Sequence, residues 1–175
     1  VPSVQKRIIR MANEIGKPVI TATQMMESMI EAPMPTRAEV TDVYNAVRDG
    51  TDAIMLSAET SVGKFPYRAV QAMTKIAKRA ERYLEHQKMA GRRRNVASKD
   101  GLPIDDAIAD AATATARRLN AKAIIAFTTS GSTAERVAAY RPKTPILALT
   151  PDIGSGAKLA LRWGVIQVAG KNHTN

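Results

Sequence analysis

KPVITATQMMESMIEAPMPTRAEV, residues 17–40, is the stretch on which the fold turns. Its apolar run from Pro18 to Ile20 gives way to Thr21, Thr23 and Gln24, among which begin the methionines Met25, Met26 and Met29. An apolar run that ends in hydroxyls and an amide reads as a short buried strand, residues 18–23, whose end emerges into a polar setting. Farther along, Thr36 precedes Glu39 at the spacing of a capping box, in which the hydroxyl accepts from a first-turn amide while the carboxylate reaches back. A helix is therefore predicted from Thr36 to about Asp49, with Gly50 supplying the left-handed turn that closes it.

The same alternation extends in both directions. Upstream, Val4, Ile8, Ala12 and Ile15 fall on one helical face and Gly16 stops that helix. Downstream, DAIMLS (52–57) is a second strand, followed by a loop with Gly63 and Lys64. Pro66 suits the first turn of the next helix, whose apolar face is read as Val70, Met73, Ala77, Ala80 and Leu84. Two strands, each followed by a helix, make a βα repeat with a parallel sheet.

Residues 86–101 break the pattern. They are polar and basic, with Gly91, Asn95 and Ser98 and a closing Asp100–Gly101 turn signal, and they read as a linker. Beyond them Ile104, Ala107, Ile108, Ala111, Ala112 and Leu119 mark a helix. Strands are predicted at 121–127, 144–149 and 164–169, with helices at about 132–140 and 153–163. The expected organisation is a first α/β part at 1–85, the linker at 86–101 and a smaller α/β domain at 102–175. Two parallel strands leave an open edge, whereas a closed βα barrel takes about eight. The expectation is that further strands precede Val1.

Composition removes several function classes. The 175 residues are 45% apolar, enough for a packed core. There is no cysteine, which excludes disulfides and thiolate metal sites and is compatible with a reducing cytoplasm, the expected location. No apolar stretch approaches the roughly 20 residues that span a bilayer, and residues 1–10 lack a signal peptide's apolar core, so no membrane association is expected. The net charge of +10 raises the question of nucleic acid, but aromatics are only 4%, too few for base-stacking platforms. Arg92, Arg93 and Arg94, with Lys88 and Lys99, read as a solvated basic linker, and no nucleic-acid partner is expected.

Two stretches could carry chemistry. In a βα barrel, residues at the carboxyl ends of strands face the active site, where Thr21, Thr23 and Gln24 would orient a polar substrate. Spacing alone leaves open that Thr23 only caps the strand. Met25, Met26 and Met29 read as gap-filling core. Ser57 and Glu59, at the end of the second strand, read as loop-fixing residues. TTSGST (128–133) joins a strand to a helix start, where free backbone N–H groups make an anion site. The other reading is an N-cap, for which Ser130 or Ser132 alone would suffice. His86 and His173 read as surface residues and Trp163 as a packing residue.

GKPVITATQMMESMI (16–30), PTRAEVTDVYNAVRDGTDAIMLSAET (35–60) and GKFPYRAV (63–70) resemble the pyruvate kinase family at almost every position. VPSVQKRIIRMANE (1–14) resembles the helix after that family's metal-binding segment, and TTSGSTAERVAAYRPKTPILALTPD (128–152) its C-terminal domain. The resemblance implies the last two βα units of a TIM (β/α)8 barrel followed by a smaller, allosteric α/β domain. It implies a glycolytic phosphotransferase, converting phosphoenolpyruvate and ADP to pyruvate and ATP with Mg2+ and K+. The catalytic lysine and metal ligands would lie upstream, and Glu27, Asp52 and Glu59 match no ligand position. This portion alone would be inactive. Thr23 would bind substrate beside the carbon that is protonated. Thr128, Thr129, Ser130, Gly131, Ser132 and Thr133 would hold the phosphate of a sugar-phosphate or AMP effector, with Ser132 where many members have a basic residue. Arg37 would lie at a homotetramer interface. The competing readings are a non-catalytic sugar-phosphate or nucleotide-binding module and a basic nucleic-acid-binding protein.

Overall fold

A computed structural model describes residues 2–22, 24–86 and 102–169. Contacts divide the chain into one unit of Val1–Met11 with Val19–Ala90 and another of Ala12–Pro18 with Gly91–Asn175. Most of the predicted linker, residues 87–101, lies outside the described residues, as does His173.

The first unit contains helix α1 (Pro2–Glu14) as far as Met11, strand β1 (Ile20–Thr21), a 3-10 turn (Glu27–Ile30), α2 (Arg37–Asp49), β2 (Ala53–Ile54), the short α3 (Ala58–Ser61) and α4 (Pro66–His86). β1 and β2 are parallel, with Ile20 opposite Ala53 and Thr21 opposite Ile54. Both strands are shorter than the predicted 18–23 and 52–57. Backbone pairing reaches a little past them, from Asp52 N to Val19 O (2.8 Å) and from Met55 N to Thr21 O (3.0 Å). Gln24, just past the predicted strand end, takes φ 53 in the left-handed region.

α2 starts and stops as its sequence dictates. Glu39 N donates to Thr36 Oγ1 at 3.3 Å, and Thr36 N donates to Glu39 Oε2 at 2.7 Å, closing the capping box. Gly50 ends the helix at φ 99. The core of this unit is Met25, Met26, Met29, Val43, Ala46, Ala69 and Met73, so the methionines of the opening stretch are core, as read.

The helix faces are where the pattern misleads. On α4, the predicted Met73 and Ala80 are buried, but Val70 is exposed and Ala69 turns inward in its place, with Ile76 packed beside them. On α1, Val4, Ile8 and Ile15 are exposed and Ile9 is buried. An apolar stripe marks the face that can be buried; which face is buried depends on the elements packed against it.

The second unit runs α5 (Ile104–Arg118), β3 (Ile124–Phe127), α6 (Ser132–Ala139), β4 (Ile146–Thr150), α7 (Ile153–Leu159) and β5 (Val165–Ala169). Its strands lie in the order β3-β4-β5, all parallel, with Ile124 opposite Ile146 and Ile146 opposite Val165. Ala126, Ile146 and Ala148 from the sheet meet Ala109, Ala134, Val137, Ala138 and Leu159 from the helices. These small side chains let helices and sheet approach closely. On α5 the predicted markers Ile104, Ile108 and Leu119 are exposed, and Ala109 and Ala116 are buried. α7 ends at Leu159, short of the predicted 163, and Trp163 sits in the turn beyond with the Arg141 guanidinium 5.2 Å over its ring, a packing role. Among the described residues, no helix is long and apolar enough to cross a membrane.

Candidate functional site

The first candidate region is built from the loops that follow β1 and β2. Thr23 lies outside the described residues. Thr21, expected to face a substrate, is buried instead, and its hydroxyl donates to Thr51 Oγ1 at 3.0 Å. Thr51 Oγ1 in turn lies 2.9 Å from the carbonyls of Val19 and Ala53. The Thr21 hydroxyl thus belongs to the strand pair. A partner thirty positions away leaves no local sequence signal. Gln24 is exposed at the end of β1.

Past the strands, two carboxylates hold the loop after β1. Glu59 is only 2% exposed; its Oε1 accepts from Met26 N at 3.0 Å and its Oε2 from Ser57 N at 2.7 Å. Glu39 accepts from Ser28 N at 2.7 Å and Ser28 Oγ at 2.5 Å, besides closing its capping box. Lys64 N donates to Ile30 O at 2.8 Å, and Lys64 also pairs with Glu31. The loop-fixing reading of Ser57 and Glu59 is what the hydrogen bonds show. The part played by Glu39 was missed, because a capping box explains that residue completely without Ser28.

Both carboxyls sit below the usual glutamate range. For Glu59, burial pushes the value up, as does the charge of Glu39, but the N–H groups of Ser57, Glu59 itself and Met26 outweigh them. For Glu39, burial again pushes upward and is outweighed by the side chain and N–H of Ser28 and by Thr36. These are carboxylates that receive hydrogen bonds and stay ionised; they are poor candidates for proton donors.

No group of acidic or histidine side chains among the described residues could hold a metal. Asp52 Oδ2 accepts from Val19 N at 3.0 Å and Glu59 is occupied by amides, so the residues present do not fit Mg2+. Arg37 opens α2 and is exposed.

The second candidate region is the β3–α6 loop. Thr128 is buried, and its Oγ1 accepts from Gly131 N at 2.9 Å. Thr150 Oγ1 donates to Thr129 O at 3.2 Å, and Ser130 Oγ to Ser132 Oγ at 3.3 Å. Gly131 is the N-cap of α6 at φ 91, and no side chain caps the helix. The reading of Ser130 or Ser132 as an N-cap therefore fails. Thr129, Ser130 and Thr133 are exposed around an α6 start that its own side chains leave open.

Parallel strands followed by helices, with polar side chains gathered in the loops past their carboxyl ends, define an α/β protein of the βα-repeat class. Residues 1–70 match the family model "Pyruvate kinase, barrel domain", and residues 106–175 match "Pyruvate kinase, alpha/beta domain". Pyruvate kinase 2 of Synechocystis is 52% identical over 165 residues, which is 94% of this chain and 27% of that relative. The pyruvate kinase of Bacillus licheniformis is 48% identical over 175 residues, 100% of this chain and 29% of the relative. A crystal structure of a pyruvate kinase from Cryptosporidium parvum has a TM-score of 0.85 at 40% identity, covering 95% of this chain and 33% of that one. The chain belongs to the pyruvate kinase family. It spans under a third of the length of these two curated relatives.

Proposed function

We propose that the protein acts as a pyruvate kinase, moving the phosphoryl group of phosphoenolpyruvate to ADP to give pyruvate and ATP in glycolysis, in the cytoplasm. The supporting observation is the match along nearly the whole chain, at 48–52% identity, to relatives named for that activity. In this reading residues 1–85 belong to the catalytic barrel, 86–101 form the linker and 102–175 belong to the α/β domain.

Phosphoryl transfer leaves an enolate that must be protonated at carbon. Thr23, two positions after Thr21 in the chain, is assigned to bind substrate beside that carbon; its hydroxyl is too weak an acid to act unaided at neutral pH. Mg2+ and K+ would supply charge neutralisation for phosphate and enolate. No group of acidic or histidine side chains among the described residues could hold a metal, and those cations are proposed to be held elsewhere in the whole protein. The test is pyruvate formation by the full-length natural protein from phosphoenolpyruvate and ADP, with Mg2+ and K+ present. Thr23→Ala should lower kcat by more than it raises KM for phosphoenolpyruvate, because a group beside the reacting carbon acts in the transition state. A parent that forms no pyruvate would overturn the reading; a variant changed in KM alone would remove Thr23 from the chemistry.

A further inference from the structure

The feature that the reaction leaves unexplained is the buried carboxylate of Glu59. Burial of an ionised side chain is costly unless every oxygen is satisfied, and an apolar residue of similar size avoids that cost. Both oxygens here are satisfied, and by two different segments: Met26 follows β1, and Ser57 follows β2. Met26 lies three positions beyond Thr23 in the chain.

The surroundings explain why a directional contact is needed there. Met25, Met26 and Met29 pack against Met73 in the core. Methionine side chains are flexible and fill space without specifying one arrangement, so apolar packing alone leaves the segment several ways to sit. Hydrogen bonds of fixed geometry select among them. A second anchor acts four residues on from Gln24, where Ser28 donates to Glu39 through both its N–H and its hydroxyl. Gly63 closes the other side, since a Cβ there would stand 2.5 Å from Glu59 O and only glycine lets α3 turn so tightly.

We propose that Glu59 is a positioning residue: its carboxylate ties the segment from Gln24 to Ile30, after β1, to the segment after β2, in the arrangement that phosphoenolpyruvate chemistry requires. The inference rests on the functional reading above, and its own content is that the tie acts on turnover through geometry without touching substrate.

Glu59→Gln and Glu59→Asp in the full-length protein test it. Glutamine keeps one acceptor and turns an NH2 toward the other amide, so one of the two bonds must fail. Aspartate keeps both acceptors on a shorter stem. The expected result for Glu59→Gln is a fall in kcat of about ten- to a hundredfold, the scale of a small misplacement of reacting groups. KM for phosphoenolpyruvate should move by less than about threefold, since a carboxylate whose oxygens are taken by Met26 N and Ser57 N does not supply ground-state binding. Hydrogen exchange at the Met26 and Ser57 amides should accelerate, with α6 amides unchanged. Glu59→Asp should recover part of both kcat and protection. Parental kcat in Glu59→Gln despite lost protection would overturn the inference, as would a loss of activity that only tracks the fraction of unfolded protein. Unchanged protection of both amides would overturn the tie itself. A parent that forms no pyruvate is a separate outcome, which overturns the functional reading and with it the link to turnover.

Discussion

Glu59 and Glu39 are carboxylates held ionised by the groups that point at them, and this sets how stability depends on pH. Their folded values lie below the ordinary 4.5. A depressed acid binds fewer protons folded than unfolded, so it stabilises the fold at pH above the unfolded value. That contribution is lost as pH falls through the lowered folded value. The melting temperature should therefore be flat near neutrality and decline below about pH 4.5, the unfolded glutamate range. Glu59→Gln should start lower at pH 7 and decline less steeply in acid. A decline of equal slope in parent and variant would show that Glu59 does not carry the effect. The position of Asp152 follows the same logic on the surface: Ser155 donates to its carboxylate at 2.6 Å, capping α7 and lowering its value.

At the scale of elements, α2 shows what one residue can do twice. Glu39 closes the capping box with Thr36 and also anchors Ser28 in the loop after β1. Thr36→Ala removes only a cap and should cost about 1 kcal/mol of stability in denaturant unfolding. Glu39→Ala removes the cap's return bond and the Ser28 anchor together, and should cost clearly more than Thr36→Ala. A double-mutant cycle with Ser28→Ala measures the hydroxyl's share; purely additive losses would mean that the Ser28 hydroxyl and Glu39 do not interact energetically. The contrast also shows what was legible in the sequence. Helix starts and stops were, because caps are local chemistry: Thr36, Glu39 and Gly50 lie within one helix and its ends. The alternation of strands and helices was legible for the same reason. Strand lengths were not, since β1 extends only as far as its pairing with β2, from Ile20 opposite Ala53 to Thr21 opposite Ile54, and that partner lies more than thirty residues away. Nor were the buried faces of α1 and α5, which depend on tertiary partners; on α4 Met73 and Ala80 were legible and Val70 was misplaced. In the candidate site, the methionine core was readable from composition. The loss of the Thr21 hydroxyl to Thr51 was not, because that contact joins two separate strands.

At the scale of the whole molecule, the two remaining proposals concern assembly and regulation. Arg37 is exposed at the start of α2, and we assign it to the contact of a homotetramer. Arg37→Ala should shift the full-length protein toward smaller species in sedimentation velocity at micromolar concentration; an unshifted distribution removes Arg37 from the interface, and a monomeric parent removes the tetramer.

Regulation is assigned to the β3–α6 loop, which lies in the other unit from β1 and β2. Thr128 is committed to Gly131, which keeps the loop folded, whereas Thr129, Ser130 and Thr133 remain exposed around an α6 start that no side chain caps. Backbone N–H groups and hydroxyls of that kind suit an effector phosphate, from a sugar phosphate or AMP. Gly131 must stay glycine for this shape, at φ 91 with Leu159 Cδ2 only 3.3 Å from where a Cβ would stand. An effector held there and a substrate held past β1 occupy different sites, so any coupling is reciprocal: each must tighten the other by the same factor. Ser130→Ala with Thr133→Ala should weaken activation by the effective phosphorylated metabolite while leaving KM for phosphoenolpyruvate without effector unchanged. The titration should be run in both directions, effector against substrate and substrate against effector, to measure one coupling factor twice. Undiminished activation in the double variant would place the phosphate elsewhere. If neither sugar phosphates nor AMP act on the parent, the loop is only the turn that starts α6.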